Sequence, residues 1–450
     1  MNQSFESSST GSGIDTAKVA ALADEPLDWR FKALPPAAWG LTVREYLATG
    51  PTLADFGTPL LTLDAGALGH NVRTMADWCA KAGVALTPHG KTTMAPALWQ
   101  AQLAAGSHGI TLANLPQVRV ARAFGVDRIL LANSLLDPAG LAWIAAELAA
   151  DPSFAFVCWV DSVESVQLMD QALRAAGVQQ QVEVLIELGG PGGRTGARGE
   201  QTAMAIAFEV LASTRLNLVG VGGYEGALAH DATPAALGSV RHYLRELAGL
   251  HEQLEAASLY GTGEPIVTAG GSAYFDLVTE ELAPLATEVP GTKVILRSGA
   301  YVAHDDGFYR GISPLARGAG AAGVGDQDTA SPLRPALHGW ARVVSHPEPQ
   351  LSLLDAGRRD LPFDDGLPEP QLVRTPEGAR SLAGSGAHIS ALNDQHAFLR
   401  GAGEHAPVGA VLRLGISHPC TAFDKWTMIP VLDDADSPDP RVVDLVRTFF

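Results

Sequence analysis

The run Val84-Ala85-Leu86-Thr87-Pro88-His89-Gly90-Lys91-Thr92 decides how the rest of the chain is read. A short apolar stretch suited to a buried strand passes into a Pro- and Gly-containing turn, and that turn carries a lysine. Working outward, the same alternation recurs from Val84 to Val302: short apolar, β-branched runs followed by Ala/Leu/Glu-rich stretches of helical period. The strand candidates are 84–87, 110–113, 129–132, 154–160, 182–188, 216–221, 266–268 and 293–297. Eight strands in succession, all but the last followed by a helix, predict an α/β fold with a closed parallel (β/α)8 barrel of TIM type. An open parallel sheet more often stops at about five to seven.

A barrel gathers its chemistry in the loops after the carboxyl ends of its strands. Lys91, Asn114, Asn133, Asp161, Arg194, Tyr224, Gly270-Gly271-Ser272 and Gly299 with Tyr301 fall there in strand order. Beyond residue 310 the texture changes. Gly, Pro, Ala and Asp accumulate from Gly318 to Pro335 as a linker or loop, and short alternating pieces at 337–344, 350–355 and 410–416 read as antiparallel β structure. The strand at 60–63 precedes the barrel and is a candidate to join that second domain. The expected organisation is a disordered segment over 1–25, an N-terminal segment over 26–64 partly joining the β domain, a barrel over 65–310 and a β-rich, metal-binding domain over 311–450.

The 450 residues are enough for two or three cores, and a net charge of -18 argues against binding a phosphate backbone. Three cysteines, Cys79, Cys158 and Cys420, show no framework spacing and indicate a reducing compartment without disulfides. No apolar run reaches the roughly 20 residues needed to span a bilayer. The polar, Ser/Gly-rich stretch from Met1 to Ser12 lacks the features of a secretory signal, so the expected location is the cytoplasm, with no membrane partner.

Lys91 at a barrel mouth could form a Schiff base with pyridoxal 5'-phosphate (PLP) and later act as the base at Cα; the alternative is an exposed loop lysine. Gly270-Gly271-Ser272 and Ser298-Gly299-Ala300 offer backbone N–H groups that can close around a phosphate, against the alternative of two tight turns. Arg194, in the glycine-rich loop 189–196, could touch an anionic oxygen of a ring cofactor or a substrate carboxylate, or pair with Glu187 or Glu200. Tyr224 could face the ring and hydrogen-bond its nitrogen, or pack at the barrel rim. His418 and Cys420, at i and i+2 of an extended segment, would point to one face, and imidazole with thiolate selects zinc. A half-buried cysteine near a solvent histidine is the alternative. His396, in Asn393-Asp394-Gln395-His396, is a candidate substrate-contacting residue or an ordinary loop histidine.

Taken in order, these pieces resemble the fold type III PLP enzymes of the D-serine dehydratase and D-threonine aldolase group, over residues 55 to 435. The likeness rests on Pro88-His89-Gly90-Lys91-Thr92, Gly192-Gly193-Arg194-Thr195-Gly196, Gly223-Tyr224-Glu225-Gly226, Gly270-Gly271-Ser272, Arg297-Ser298-Gly299-Ala300-Tyr301, Asp394-Gln395-His396 and Ser417-His418-Pro419-Cys420-Thr421. It implies an alanine racemase-like barrel, a C-terminal β domain and a homodimer. It also implies a cofactor set of His89, Lys91, Arg194, Tyr224, Gly270, Gly271, Ser272, Gly299 and Tyr301. In that group His-x-Cys accompanies zinc and dehydration, whereas His-x-Asp accompanies a harder ion and aldol cleavage, so Cys420 points to a D-serine dehydratase-like lyase acting on a small D-amino acid. A retro-aldol lyase is the runner-up. A PLP carrier protein, built on a barrel alone, would leave the roughly 140 residues after the barrel without a task. Two departures from the group's pattern, Thr87 before Pro88 and Gln395 before His396, each remove a charge near the expected substrate.

Overall fold

The computed structural model describes residues 13–177, 179–320 and 332–450. The chain divides into two compact units. The first comprises 13–15, Ala76–Lys91 and Trp99–Gly299; the second comprises Thr16–Met75, Thr92–Leu98 and the described part of Ala300–Phe450.

In the first unit all eight expected strands form, as one parallel sheet. They are Ala85–Leu86, Ile110–Leu112, Arg128–Ser134, Ala155–Val160, Val182–Leu188, Leu216–Gly223, Ile266–Ala269 and Lys293–Leu296. From the second to the eighth, each pairs with the next in sequence, and the first pairs with the last through Ala85 opposite Ile295. The seam between first and second closes through a bridge from His89 to Thr111 and hydrogen bonds from His108 N to Leu86 O (2.6 Å) and Thr111 N to Pro88 O (2.9 Å). Alternate residues face inward as the pleat requires: Ala155, Val157 and Trp159 of one strand pack with Leu130, Leu185, Val219, Ile266 and Ile295 of others. Four intervening helices begin at side-chain caps, where Asn114, Asp137, Ser162 and Thr233 accept from the N–H three residues on, each cap worth about 1 kcal/mol. Asn114, one of the polar residues at the strand ends, is therefore a cap.

The second unit is built on a ten-stranded sheet. Leu60–Asp64 lies within it, antiparallel to Leu337–Glu348 (Leu60 opposite Trp340) and parallel to Met428–Leu432. Val411–Gly415, Glu369–Thr375 and Gly378–Ser381 extend one side, and Val442–Arg447 completes the other. Leu27, Phe31, Tyr46, Phe56 and Leu60 share one core with Trp340, Met428, Leu432 and Leu445, and the Trp340 Nε1–H donates to Thr62 Oγ1 at 2.8 Å.

The disorder expected up to residue 25 does not hold over the described residues. Thr16–Ala20 is helical, Ala21–Asp24 forms a 3-10 turn, and Asp15 N donates to Phe124 O at 2.9 Å. Ile14 and Val19 are buried, and their apolar side chains are what a composition averaged over the whole polar segment conceals. Residues 1–12 of that expectation, and 321–331 of the expected linker, lie outside the described residues.

Candidate active site

Lys91 sits in the 3-10 turn Gly90–Thr92 that follows the first barrel strand, and it is half-buried. The turn is fixed on three sides. Thr87 N donates to Leu296 O (2.9 Å), His89 N to Ser298 O (3.4 Å) and Trp99 Nε1 to Gly90 O (3.2 Å). Burial, with the cations Lys91 and Arg297 next in weight, holds the His89 imidazole well below its usual pKa, so the ring is neutral beside the lysine.

The loop after the fifth barrel strand brings Arg194 over the ring of Tyr224 at 4.8 Å, a cation–π contact. Neither suggested acidic partner is what Arg194 stacks on; Glu187 instead accepts from Thr195 Oγ1 at 2.9 Å. Tyr224 is anchored through its N–H to Tyr243 Oη (3.1 Å), and Tyr243 donates to Leu188 O (2.6 Å).

Gly270, Gly271 and Ser272 follow the seventh strand, and Gly299 follows the eighth. Gly270 has φ +111°, and a Cβ there would lie 2.4 Å from Leu296 Cδ1. The N–H groups of Gly270 and Gly271 do not point to an open cradle. They donate to the two carboxylate oxygens of Glu225, at 2.9 and 2.7 Å. Glu225 is fully buried; desolvation raises its pKa against the pull of those N–H groups and of Arg297. The expected role of these two glycines is corrected accordingly: a carboxylate 45 residues away already satisfies the donors, and the glycines shape the loop. Ser298 Oγ donates to Gly271 O (2.8 Å), tying the seventh and eighth loops together. Arg297, also buried, donates Nε–H to Thr268 Oγ1 (2.9 Å) and Nη2–H to Gly223 O, and stacks on Trp159 at 4.8 Å. Glu225 and Arg297 stand inside the sequence motifs with no role legible there, and Trp159 lies outside those motifs.

These residues fit a polar aromatic cofactor. His89 Nδ1, Trp159 Nε1 and Glu187 Oε2 are buried without a hydrogen-bond partner, in or just after barrel strands, and unmet polar atoms at such depth call for a ligand to meet them. Lys91 is the amine that would hold it, with Arg194, Tyr224, Ser272 and Gly299 as the flanking groups.

In the second unit Tyr301 is buried in the 3-10 turn Ala300–Val302. His418 and Cys420 do not lie on a strand. Residues 417–419 form a bend with His418 at φ +60°, and Cys420 opens the short helix Cys420–Phe423. Pro419 has no N–H to give to a sheet ladder, which is why the extended reading fails. The two side chains remain electrostatic neighbours, Cys420 favouring the charged form of the His418 ring. Cys420 Sγ also lies 3.3 Å from Oγ1 of Thr92, the residue that follows Lys91 in the chain. Two carboxylates that sequence reasoning missed complete the group: His418 Nδ1 is 2.5 Å from Asp364 Oδ2 and 3.1 Å from Asp365 Oδ2. Burial depresses the His418 pKa, but Cys420 and the two carboxylates outweigh it and lift the value to about 9. The imidazole and the two carboxylates, whose ligand atoms all lie within 4.8 Å of one another, fit a divalent cation, with the Cys420 thiol two residues from the ring as a further donor. The only available signal was the acidic doublet Asp364-Asp365 itself. His396 is exposed in the turn between His388–Leu392 and Ala397–Arg400, where its carbonyl accepts from Asn393 N, and it is not part of this group.

A closed parallel barrel with a lysine in its first loop, joined to an antiparallel β unit, defines the alanine racemase-like architecture of fold type III PLP enzymes. The chain's matches narrow this. "Alanine racemase, N-terminal domain" covers residues 63–278, and "Putative serine dehydratase domain" covers 336–432. D-threonine aldolase of Arthrobacter sp. is 30% identical over 410 residues, 89% of this chain and 93% of that protein. D-threo-3-hydroxyaspartate dehydratase of Delftia sp. (strain HT23) is 30% identical over 257 residues, 56% of this chain and 63% of that one. The solved D-threonine aldolase from Filomicrobium marinum superposes with a TM-score of 0.71 at 22% identity, covering 89% of this chain and 97% of that one. The chain belongs to the fold type III family of D-threonine aldolases and D-serine dehydratase-like enzymes, and it is a PLP-dependent lyase. No helix among the described residues is long and apolar enough to cross a membrane.

Proposed function

We propose that this enzyme is a PLP- and zinc-dependent dehydratase that converts a β-hydroxy-D-amino acid, D-serine or a close relative, to a 2-oxo acid and ammonia. Bound PLP supplies an electron sink for charge developing at Cα. Lys91 is the residue that would hold it, and its amine is the base for the Cα proton. Neutral His89 keeps a second positive charge away from that amine. Arg194, held over Tyr224, offers its guanidinium to an anionic oxygen. Zinc would supply Lewis acidity toward the β-oxygen, which makes hydroxide a feasible leaving group.

The observation that carries the choice of dehydration is the sulfur. Cys420 stands two residues from His418 and favours its charged ring, and a soft thiolate beside an imidazole favours zinc over harder ions. Among solved relatives, a cysteine-to-alanine variant of D-threo-3-hydroxyaspartate dehydratase is described in a metal-free form. A retro-aldol reading has its own support: the aldolase relative matches nearly the whole chain, and Asp364 and Asp365 add hard oxygen donors at His418. Product analysis separates the two. A D-amino-acid panel should yield 2-oxo acid and ammonia, and glycine with an aldehyde would replace the first reading by the second. Lys91→Ala should lose both the visible absorbance of the holoenzyme and turnover. Cys420→Ala should keep the absorbance and lose turnover, and normal turnover in that variant would remove the metal from the reaction. The homodimer implied by the family is part of the same proposal, checked by light scattering.

A further inference from the structure

We propose that Asp305 is the positioning residue of the metal group, acting through the backbone of His418. The inference rests on the metal reading above. His418 occupies the left-handed region at φ +60°, a conformation unfavourable for a non-glycine residue, so the surrounding structure has to impose it. The Asp305 carboxylate does so. It is fully buried, and Oδ2 accepts the His418 N–H at 3.0 Å. Oδ1 accepts the N–H groups of Gly307 (3.1 Å), Tyr309 (2.8 Å) and Arg310 (3.2 Å). One side chain therefore clamps the loop carrying His418 and Cys420 to the turn that starts the helix Phe308–Ile312.

Neighbouring bonds brace the same joint. Phe308 N donates to Ser417 Oγ (3.2 Å), and Ser417 Oγ donates to Asp365 O (2.7 Å). Thr421 Oγ1 donates to Asp364 Oδ1 (2.7 Å), the carboxylate whose other oxygen meets His418 Nδ1. Asp305 touches none of the metal-capable atoms; its whole effect on them passes through the direction it gives the main chain at His418.

The test is zinc affinity, measured on metal-free, PLP-loaded protein by competition with a chromogenic chelator. Asp305→Asn keeps the volume but turns an amide N–H against the His418 N–H. The expected result is a zinc Kd raised roughly 10- to 100-fold with cofactor absorbance unchanged and turnover recovered at saturating zinc. Asp306→Asn is the control for loss of a buried carboxylate, because Asp306 is buried next door and makes no bond to His418; it should bind zinc within about threefold of wild type. Should Asp305→Asn fail to fold, Ser417→Ala unties the same joint with the buried charge left in place, and it should weaken zinc about tenfold. Wild-type zinc affinity in folded Asp305→Asn (or in Ser417→Ala, where that is the variant used), or an equal loss in Asp306→Asn, overturns the inference. Wild-type protein that does not compete for zinc at all overturns the metal reading itself, and this inference with it.

Discussion

Glu225 spends both carboxylate oxygens on the N–H groups of Gly270 and Gly271 in a place water does not reach. Replacing it with Gln keeps one acceptor and sets an amide donor against the other N–H. Leaving a buried donor unmet costs about 1–3 kcal/mol, more where a charge is involved. We expect Glu225→Gln to lower the melting temperature and to weaken PLP binding roughly tenfold, as one to two kcal/mol of misplaced loop would. Titration of the metal-free protein with PLP, read by absorbance, checks it. Loss of stability with unchanged PLP affinity would mean that the shape of this loop does not bear on cofactor binding. The residue scale is where sequence reading was least complete. Lys91, Arg194 and Tyr224 were legible because each sits at a strand end in a recognisable motif, whereas Glu225 acts on residues 45 positions away and no local pattern announces such a bond.

At the scale of elements, the turn Gly90–Thr92 has no slack. A Cβ on Gly90 would lie 2.7 Å from Ile110 Cγ2 and 2.8 Å from Trp99 Nε1, both fully buried neighbours. Gly90→Ala should destabilise the protein by about 1–3 kcal/mol through overpacking. Because the same turn carries Lys91, it should also reduce cofactor occupancy, seen as a lower visible-to-ultraviolet absorbance ratio in the purified protein. An alanine variant with full absorbance would show that the turn can move without displacing the lysine. The barrel strands were readable because strands buried on both faces are continuous β-branched runs, and because helix caps mark where each run gives way. The segment 417–420 was not, since a two-residue spacing suits a strand and a bend equally and only Pro419 hinted at the bend.

Across the molecule, burial holds several histidines neutral. His251 in the barrel unit has a pKa lowered to about 4, and His304 and His338 in the second unit are lowered to about 4 and about 3. In each case desolvation is the largest cause. The unfolded chain takes up these protons near pH 6.5 and the folded chain does not, so the unfolded state binds more protons between pH 6.5 and about 4. The stability these histidines contribute should therefore be complete above pH 6.5 and fall as the pH drops through that window, in both units. His251→Gln can keep the bonds to Tyr260 Oη and Thr292 Oγ1 without titrating. Urea midpoints against pH should fall less steeply for that variant, by one proton's worth of slope, and an unchanged slope would exclude His251 from the acid response.

The parallel barrel, its eight strands, the β-rich second part and the order of the motifs were all readable from the chain, because periodicity, caps and turn residues are local properties written into neighbouring positions. The strand at 60–63 was legible as a member of the second domain, but tertiary structure alone decided its register opposite residues more than 270 positions later, that Glu225 takes the N–H groups expected for a phosphate, and that Asp305, with Asp364 and Asp365, surrounds His418. The reason is physical. A buried carboxylate goes wherever unpaired N–H groups or cations await it, and which ones those are is fixed only when distant segments have packed.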